Sequence, residues 1–212
     1  MRQLLRSATA FLFSFGLIVG ILRAGAGDDE ALRAFLLPAT GCPAPCWQGI
    51  RPGASSADDA QALLLANPWI TSVNRTLTHI SWRWSGAQPA YIDANAQGIL
   101  YLANERVATI VVGLTAQYGD IWALFGAPES AIMVRPASRS TAYQIVDYPD
   151  QGVELVSSLS CPVRPDIFWT GETALRLGTH TFSEAMNGVP YAIFDEPGWW
   201  RWLHTCRRQV AN

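Results

Sequence analysis

The chain has 212 residues, half of them apolar and 15% charged, which is enough apolar content to bury a core and too much for global disorder. Its formal charge is −2, and it lacks the clustered positive charge that nucleic acid demands, so nucleic acid is excluded as a partner. All fifteen basic residues are arginine, which excludes lysine Schiff bases, lysine general bases and Walker A phosphate binding.

Residues 1–27 read as a signal peptide or an N-terminal membrane anchor. Arg2 and Arg6 precede an apolar run from Ala8 to Leu22, and Arg23 with Ala24-Gly25-Ala26-Gly27 follows. The run is short for a span of ~20 residues, and Ala24-x-Ala26 suits a signal-peptidase site. Arg23 interrupts the approach to that site and leaves an uncleaved anchor, with Arg2 and Arg6 cytoplasmic, as the alternative. Either reading places the remainder outside the cytoplasm, secreted or anchored to the cytoplasmic membrane, with this segment as the membrane contact.

Residues 28–52 read as an extended, proline-bearing lead. Two short motifs here are coincidences: Leu37-Pro38-Ala39-Thr40-Gly41 is a sortase signal in the wrong place, and Ala39-Thr40-Gly41-Cys42 lacks the apolar stretch of a lipobox. The lead carries Cys42 and Cys46, and Cys161 and Cys206 follow much later. An even number of cysteines in an exported chain reads as two disulfides. Of the three pairings, Cys42–Cys46 with Cys161–Cys206 is favoured, because Pro43-Ala44-Pro45 confines the first pair to a tight turn. The second would close a 45-residue loop and contribute roughly 3–4 kcal/mol by the chain-entropy estimate. A redox or metal site fits less well: the spacing is not Cys-x-x-Cys, no histidine lies near Cys42 or Cys46, and only His204 is close to Cys206. No cofactor is implied.

From residue 53 the chain echoes itself: Gly53, Ser55, Leu64 and Pro68 fall in step with Gly113, Thr115, Leu124 and Pro128. The echo predicts an α+β fold of two tandem units, each a helix followed by an antiparallel meander, in a degenerate repeat of about 60 residues. In the first unit, residues 53–112, Ser55 or Ser56 caps a helix, and Asp58 and Asp59 favour its positive end. Ala60, Leu63 and Leu64 face inward, and Asn67-Pro68 ends the helix. Strands are predicted at His79–Trp84, Tyr91–Ala94, Gly98–Ala103 and Val107–Gly113 from their β-branched and aromatic content and the turns between them.

In the second unit, residues 113–171, Thr115 opens a helix striped by Ile121, Leu124 and Phe125 and closed by Gly126-Ala127-Pro128. Strands are predicted at Ala131–Val134, Ala142–Tyr148, Gly152–Ser157 and Ile167–Thr170. Residues 172–212 read as a C-terminal cap, with Pro190–Phe194 as a closing strand.

The Gly-x-Thr…Leu-Phe-Gly-x-Pro pattern of residues 113–128, followed by a meander, resembles the helix-then-three-strands module of outer-membrane assembly lipoproteins and of tandem-repeat β-lactamase inhibitor proteins. The Pro45-Cys46-Trp47-Gln48-Gly49-Ile50-Arg51-Pro52-Gly53 entry resembles exported proteins of filamentous green non-sulfur bacteria. The resemblance spans roughly residues 45–170 and implies the fold alone. The lipobox cysteine of the assembly lipoproteins is absent, and no functional residue is carried over.

An enzyme must be assembled from His79, His180, His204 and the seventeen carboxylates, without a Gly-x-Ser-x-Gly, His-Glu-x-x-His or phosphate-loop motif. The Asp58-Asp59 pair and Asp147…Asp150 read as helix-start and turn residues. Tryptophan offers better candidates, with nine in the chain. Trp82-Arg83-Trp84 places two indoles on one strand face, and that face is either core or ligand platform. Alternation sends Trp199 opposite to Trp200, so the Trp199, Trp200 and Trp202 cluster cannot bury every ring. Trp and Arg are residue types of binding hot spots and glycan-stacking platforms. The sequence therefore predicts a non-enzymatic binding or scaffolding module for an envelope protein or glycan. A hydrolase of envelope polymers, with a dispersed carboxylate site, is the alternative.

Overall fold

The computed structural model describes residues 29–37, 41–134, 141–178 and 189–190. The described elements begin with helix α1 (Asp29–Leu36) and continue through α2 (Ala57–Ala66), β1 (Ile70–Arg75), β2 (His79–Trp84), β3 (Gly98–Ala103) and β4 (Arg106–Gln117). It then forms α3 (Tyr118–Phe125), β5 (Ser130–Val134), β6 (Thr141–Tyr148), a 3₁₀ turn (Pro149–Gln151) and β7 (Val153–Ser160). Helix α4 (Pro165–Thr170), β8 (Glu172–Gly178) and a two-residue β9 (Val189–Pro190) complete the described elements.

The nine strands among the described residues form one sheet in the order β1-β2-β3-β4-β8-β7-β6-β5-β9, and every neighbouring pair is antiparallel. Helix α2 is followed by the meander β1–β4, and α3 by β5–β8. The last strands of the two meanders, β4 and β8, pair along seven register positions from Thr109 to Gln117.

One face of the sheet carries the core. Ile80 and Trp82 of β2, Leu100 of β3, Ile110, Val112 and Leu114 of β4, Leu175 and Leu177 of β8, Leu155 and Leu159 of β7 and Val146 of β6 share a buried cluster with Ala57, Ala60 and Leu64 of α2. Leu32, Phe35, Tyr118, Ile121 and Phe168 bring α1, α3 and α4 into the same cluster.

Local signals account for the helix ends. Ser56 Oγ accepts from the backbone N–H of Asp59 at 3.1 Å and donates to its carboxylate at 2.7 Å, which caps α2 as its sequence predicts. At α3 the bond runs the other way: the carboxylate of Asp120, in the first turn, accepts from the backbone N–H of the cap residue Gln117 at 2.9 Å. Helix α4 begins with Pro165 at its first turn and Asp166 beside it, the two residue types that suit a helix start.

Five expectations need correction, the first being Leu63, which is 41% exposed and does not face inward with Ala60 and Leu64. Residues 29–36 of the extended lead are helical. Gly53 is a turn residue at φ +79, but Gly113 and Thr115 lie inside β4, which runs on to Gln117 before the second helix begins. Tyr91–Ala94 is a loop touching the sheet through one bridge, Ile92 to Leu114, and the first meander gains its fourth strand from β1. Ile167–Thr170 is helix, and the fourth strand of the second meander is β8, inside the segment read as a cap.

Candidate functional site

Trp82 and Trp84 are interior residues, 1% and 8% exposed, so the reading that they form a ligand platform is corrected. Trp82 lies on Gly98, where an added Cβ would come within 2.0 Å of the ring, and it stacks on Trp47 with centroids 5.3 Å apart. Trp84 meets Trp82 edge-on and donates its indole N–H to the Ala96 carbonyl at 2.8 Å. Trp199, Trp200 and Trp202 lie outside the described residues.

The Cys42–Cys46 disulfide is formed. Cys161 is disulfide-bonded too, and Cys206 lies outside the described residues. His79 Nδ1 is 3.0 Å from the Thr76 hydroxyl and 3.3 Å from that of Thr78, an arrangement of the β1–β2 turn. His180 and His204 lie outside the described residues. Asp58 pairs with Arg75 across the α2–β1 junction. Asp147, read as a turn residue, is instead a buried residue of β6 that accepts from Ser130 Oγ at 2.8 Å. Among the described residues, no group of three or more histidines, cysteines and carboxylates is placed to hold a metal ion, and no helix is long and apolar enough to cross a membrane.

The other face of the sheet carries no helix among the described residues, and its chemistry follows from register. In-register partners point to the same side, so Asn74, Ser81, Ile99, Val111, Arg176, Glu154, Asp147 and Ser130 form one row across eight strands. A second row runs His79, Tyr101, Thr109, Gly178. Over the first meander this face is open: Tyr101 is 48% exposed, Arg83 is exposed, and His79, Ser81, Ile99 and Val111 are half-buried. Over the second meander Val134, Ile145, Asp147 and Glu154 are buried.

The buried charges sit at a cleft of about 220 Å³ lined by Pro45, Asp147, Pro149, Gly152, Val153, Glu154, Arg176 and Gly178. Arg176 donates to Glu154 at 2.7 Å, with both side chains largely out of solvent. Nearby, Tyr148 turns to the core face and donates to the Gly126 carbonyl at 3.1 Å. Burial pushes its phenol up to about 12.

Sequence reasoning missed the open face and the cleft. The signal for the first was present: if Trp82 and Trp84 face the core, Ser81 and Arg83 must face away, and the partners of Ser81 follow once register is known. The cleft had no signal, because Pro45, Glu154 and Arg176 are far apart in sequence. The chain matches no protein-family model, no curated protein and no solved structure.

Proposed function

We propose that this protein is a non-enzymatic binding module outside the cytoplasm, holding an envelope protein or glycan on the open sheet face of its first meander. The observation that carries this reading is the sheet face, without a helix among the described residues, on which Tyr101 and Arg83 stand exposed beside half-buried Ile99 and Val111. A rigid strand platform holds these side chains in place without ordering a loop on binding, and Tyr and Arg are the types that dominate hot spots.

Export rests on the N-terminal segment, as signal peptide or anchor, and accords with an oxidised Cys42–Cys46 pair. The two helix-plus-meander units are read as a degenerate duplication, supported by the shared order of helix and four strands and by the edge-to-edge meeting of β4 and β8. That is one strand more than the module the sequence resembles. Cys161 is read as the partner of Cys206.

The test is retention of the full chain by isolated cell-wall glycan and, separately, by solubilised envelope protein. Replacing Tyr101 and Arg83 together by Ala should lower retention at least tenfold on one of the two while leaving the melting temperature within a degree or two. Equal retention by the variant sinks the reading. Release of soluble fragments from the glycan by the wild-type chain would favour the hydrolase instead.

A further inference from the structure

The ring closed by Cys42 and Cys46 packs against a turn in the other half of the sheet. Gly152 ends the 3₁₀ turn between β6 and β7 in the left-handed region at φ +65. The ring lies so close that a Cβ on Gly152 would come within 3.0 Å of Pro45 Cα and 3.1 Å of Ala44 Cβ. Pro45 is also one wall of the cleft that holds Glu154 and Arg176. On its other side the ring is fixed, because Trp47, next to Cys46, is 1% exposed in the aromatic core. The ring thus reaches from an anchored residue of the first half onto a turn of the second.

A disulfide constrains the unfolded chain less as its loop shortens, and this one encloses only Pro43, Ala44 and Pro45. Its consequence is local, in holding Ala44 and Pro45 against Gly152. Cys42 is partly exposed, whereas Cys46 is buried, so Cys42 is the end of the bond nearer to solvent.

We propose that Cys42–Cys46 is a redox latch on the cleft. Oxidised, the ring forms its wall; reduced by a dithiol, Ala44 and Pro45 leave Gly152 and the cleft opens onto Glu154 and Arg176. In the step, a thiolate of the reductant attacks Cys42 Sγ, the sulfur–sulfur bond breaks and Cys46 leaves as a thiolate. The second thiol of the reductant then attacks the mixed disulfide and releases Cys42. Two electrons and two protons pass to the protein, and the reductant becomes a disulfide.

Hydrogen exchange on the full chain tests this, using Cys42→Ser with Cys46→Ser so that the bond at Cys161 stays intact. Amides of residues 150–155 should exchange at least tenfold faster, and those of β2 and β3 at the wild-type rate. Gly152→Ala adds a Cβ against Pro45 and Ala44 on top of the strain of a left-handed turn, so it should speed exchange at 150–155 more with both cysteines present than in the double-serine chain. Unchanged exchange at 150–155 in either variant overturns the latch. Faster exchange throughout the sheet, or failure of the double-serine chain to fold, also overturns it, by making the bond a general staple.

Discussion

In the first half of the molecule the large rings rise from the sheet: Trp82 and Trp84 project from β2 and pack with Trp47 of the lead. In the second half most of them descend from the helices, Tyr118 and Trp122 from α3 and Phe168 and Trp169 from α4, and Tyr148 of β6 is the strand-borne exception. The opposing surfaces adjust. In the first half α2 buries Ala57, Ala60 and Leu64, while the strands of the second half bury Val146, Leu155, Ser157 and Thr173 beside Tyr148. Interiors are close-packed, and the two halves reach that packing with the indoles on the sheet in one and most of the large rings on the helices in the other. Similar order of elements therefore does not mean similar cores.

The strand-borne cluster should be the more sensitive. Trp82→Ala removes a fully buried ring that touches Gly98, Trp47 and Trp84, and about 3–5 kcal/mol is expected for such a truncation. Trp169→Ala removes a half-buried ring stacked on Tyr118 and should cost less than half as much. Urea denaturation of both variants measures the difference. Equal costs would mean that the helix-borne rings are as essential as the strand-borne ones.

The two helix leucines that align in the sequence separate the halves further. Leu64 is 1% exposed against the sheet, and Leu64→Ala should destabilise by roughly 2–5 kcal/mol. Leu124 is only half-buried, and Leu124→Ala should cost about 1 kcal/mol, in proportion to the smaller apolar area lost. Matching losses in the same denaturation assay would restore the equivalence that the sequence echo suggests.

That echo shows what was legible. β2 and β3 are predicted with correct bounds, because His79–Trp84 and Gly98–Ala103 hold β-branched and aromatic residues and are flanked by turn residues. β1 was hidden because Ile-Thr-Ser-Val-Asn-Arg lies at the sheet edge with no fully buried residue, so no apolar alternation marks it. Ile167-Phe168-Trp169 has strand propensity, yet Pro165 and Asp166 start a helix there and tertiary packing of Phe168 holds it. The start of α3 is not readable from its cap residue, since Gln117 is a weak N-cap type; the signal is Asp120, three residues on. The buried Trp82 was foreseen as one of two readings, and the choice needed Gly98, which comes to lie beneath the ring only through strand pairing.

The means by which each helix is tied to the sheet gives the last contrast. Helix α2 is linked to β1 by the surface pair Asp58–Arg75, whereas the end of α3 is held by the Tyr148 hydroxyl on the Gly126 carbonyl. Tyr148 is 3% exposed, and burial raises its phenol to about 12, against 10 for a solvated tyrosine. Below pH 10 the phenol is neutral in the folded and the unfolded chain, and the hydrogen bond contributes fully. Above pH 10 the unfolded chain loses the proton and the folded chain keeps it, so stability falls as pH rises towards 12. Two pH units at 1.36 kcal/mol each amount to about 2–3 kcal/mol. Tyr148→Phe should remove that alkaline slope while costing about 1 kcal/mol at neutral pH for the lost hydrogen bond. Urea midpoints of wild type and variant from pH 9 to 12 decide it: parallel curves would show that the attachment of α3 does not depend on this hydroxyl, and that the two helices are held alike.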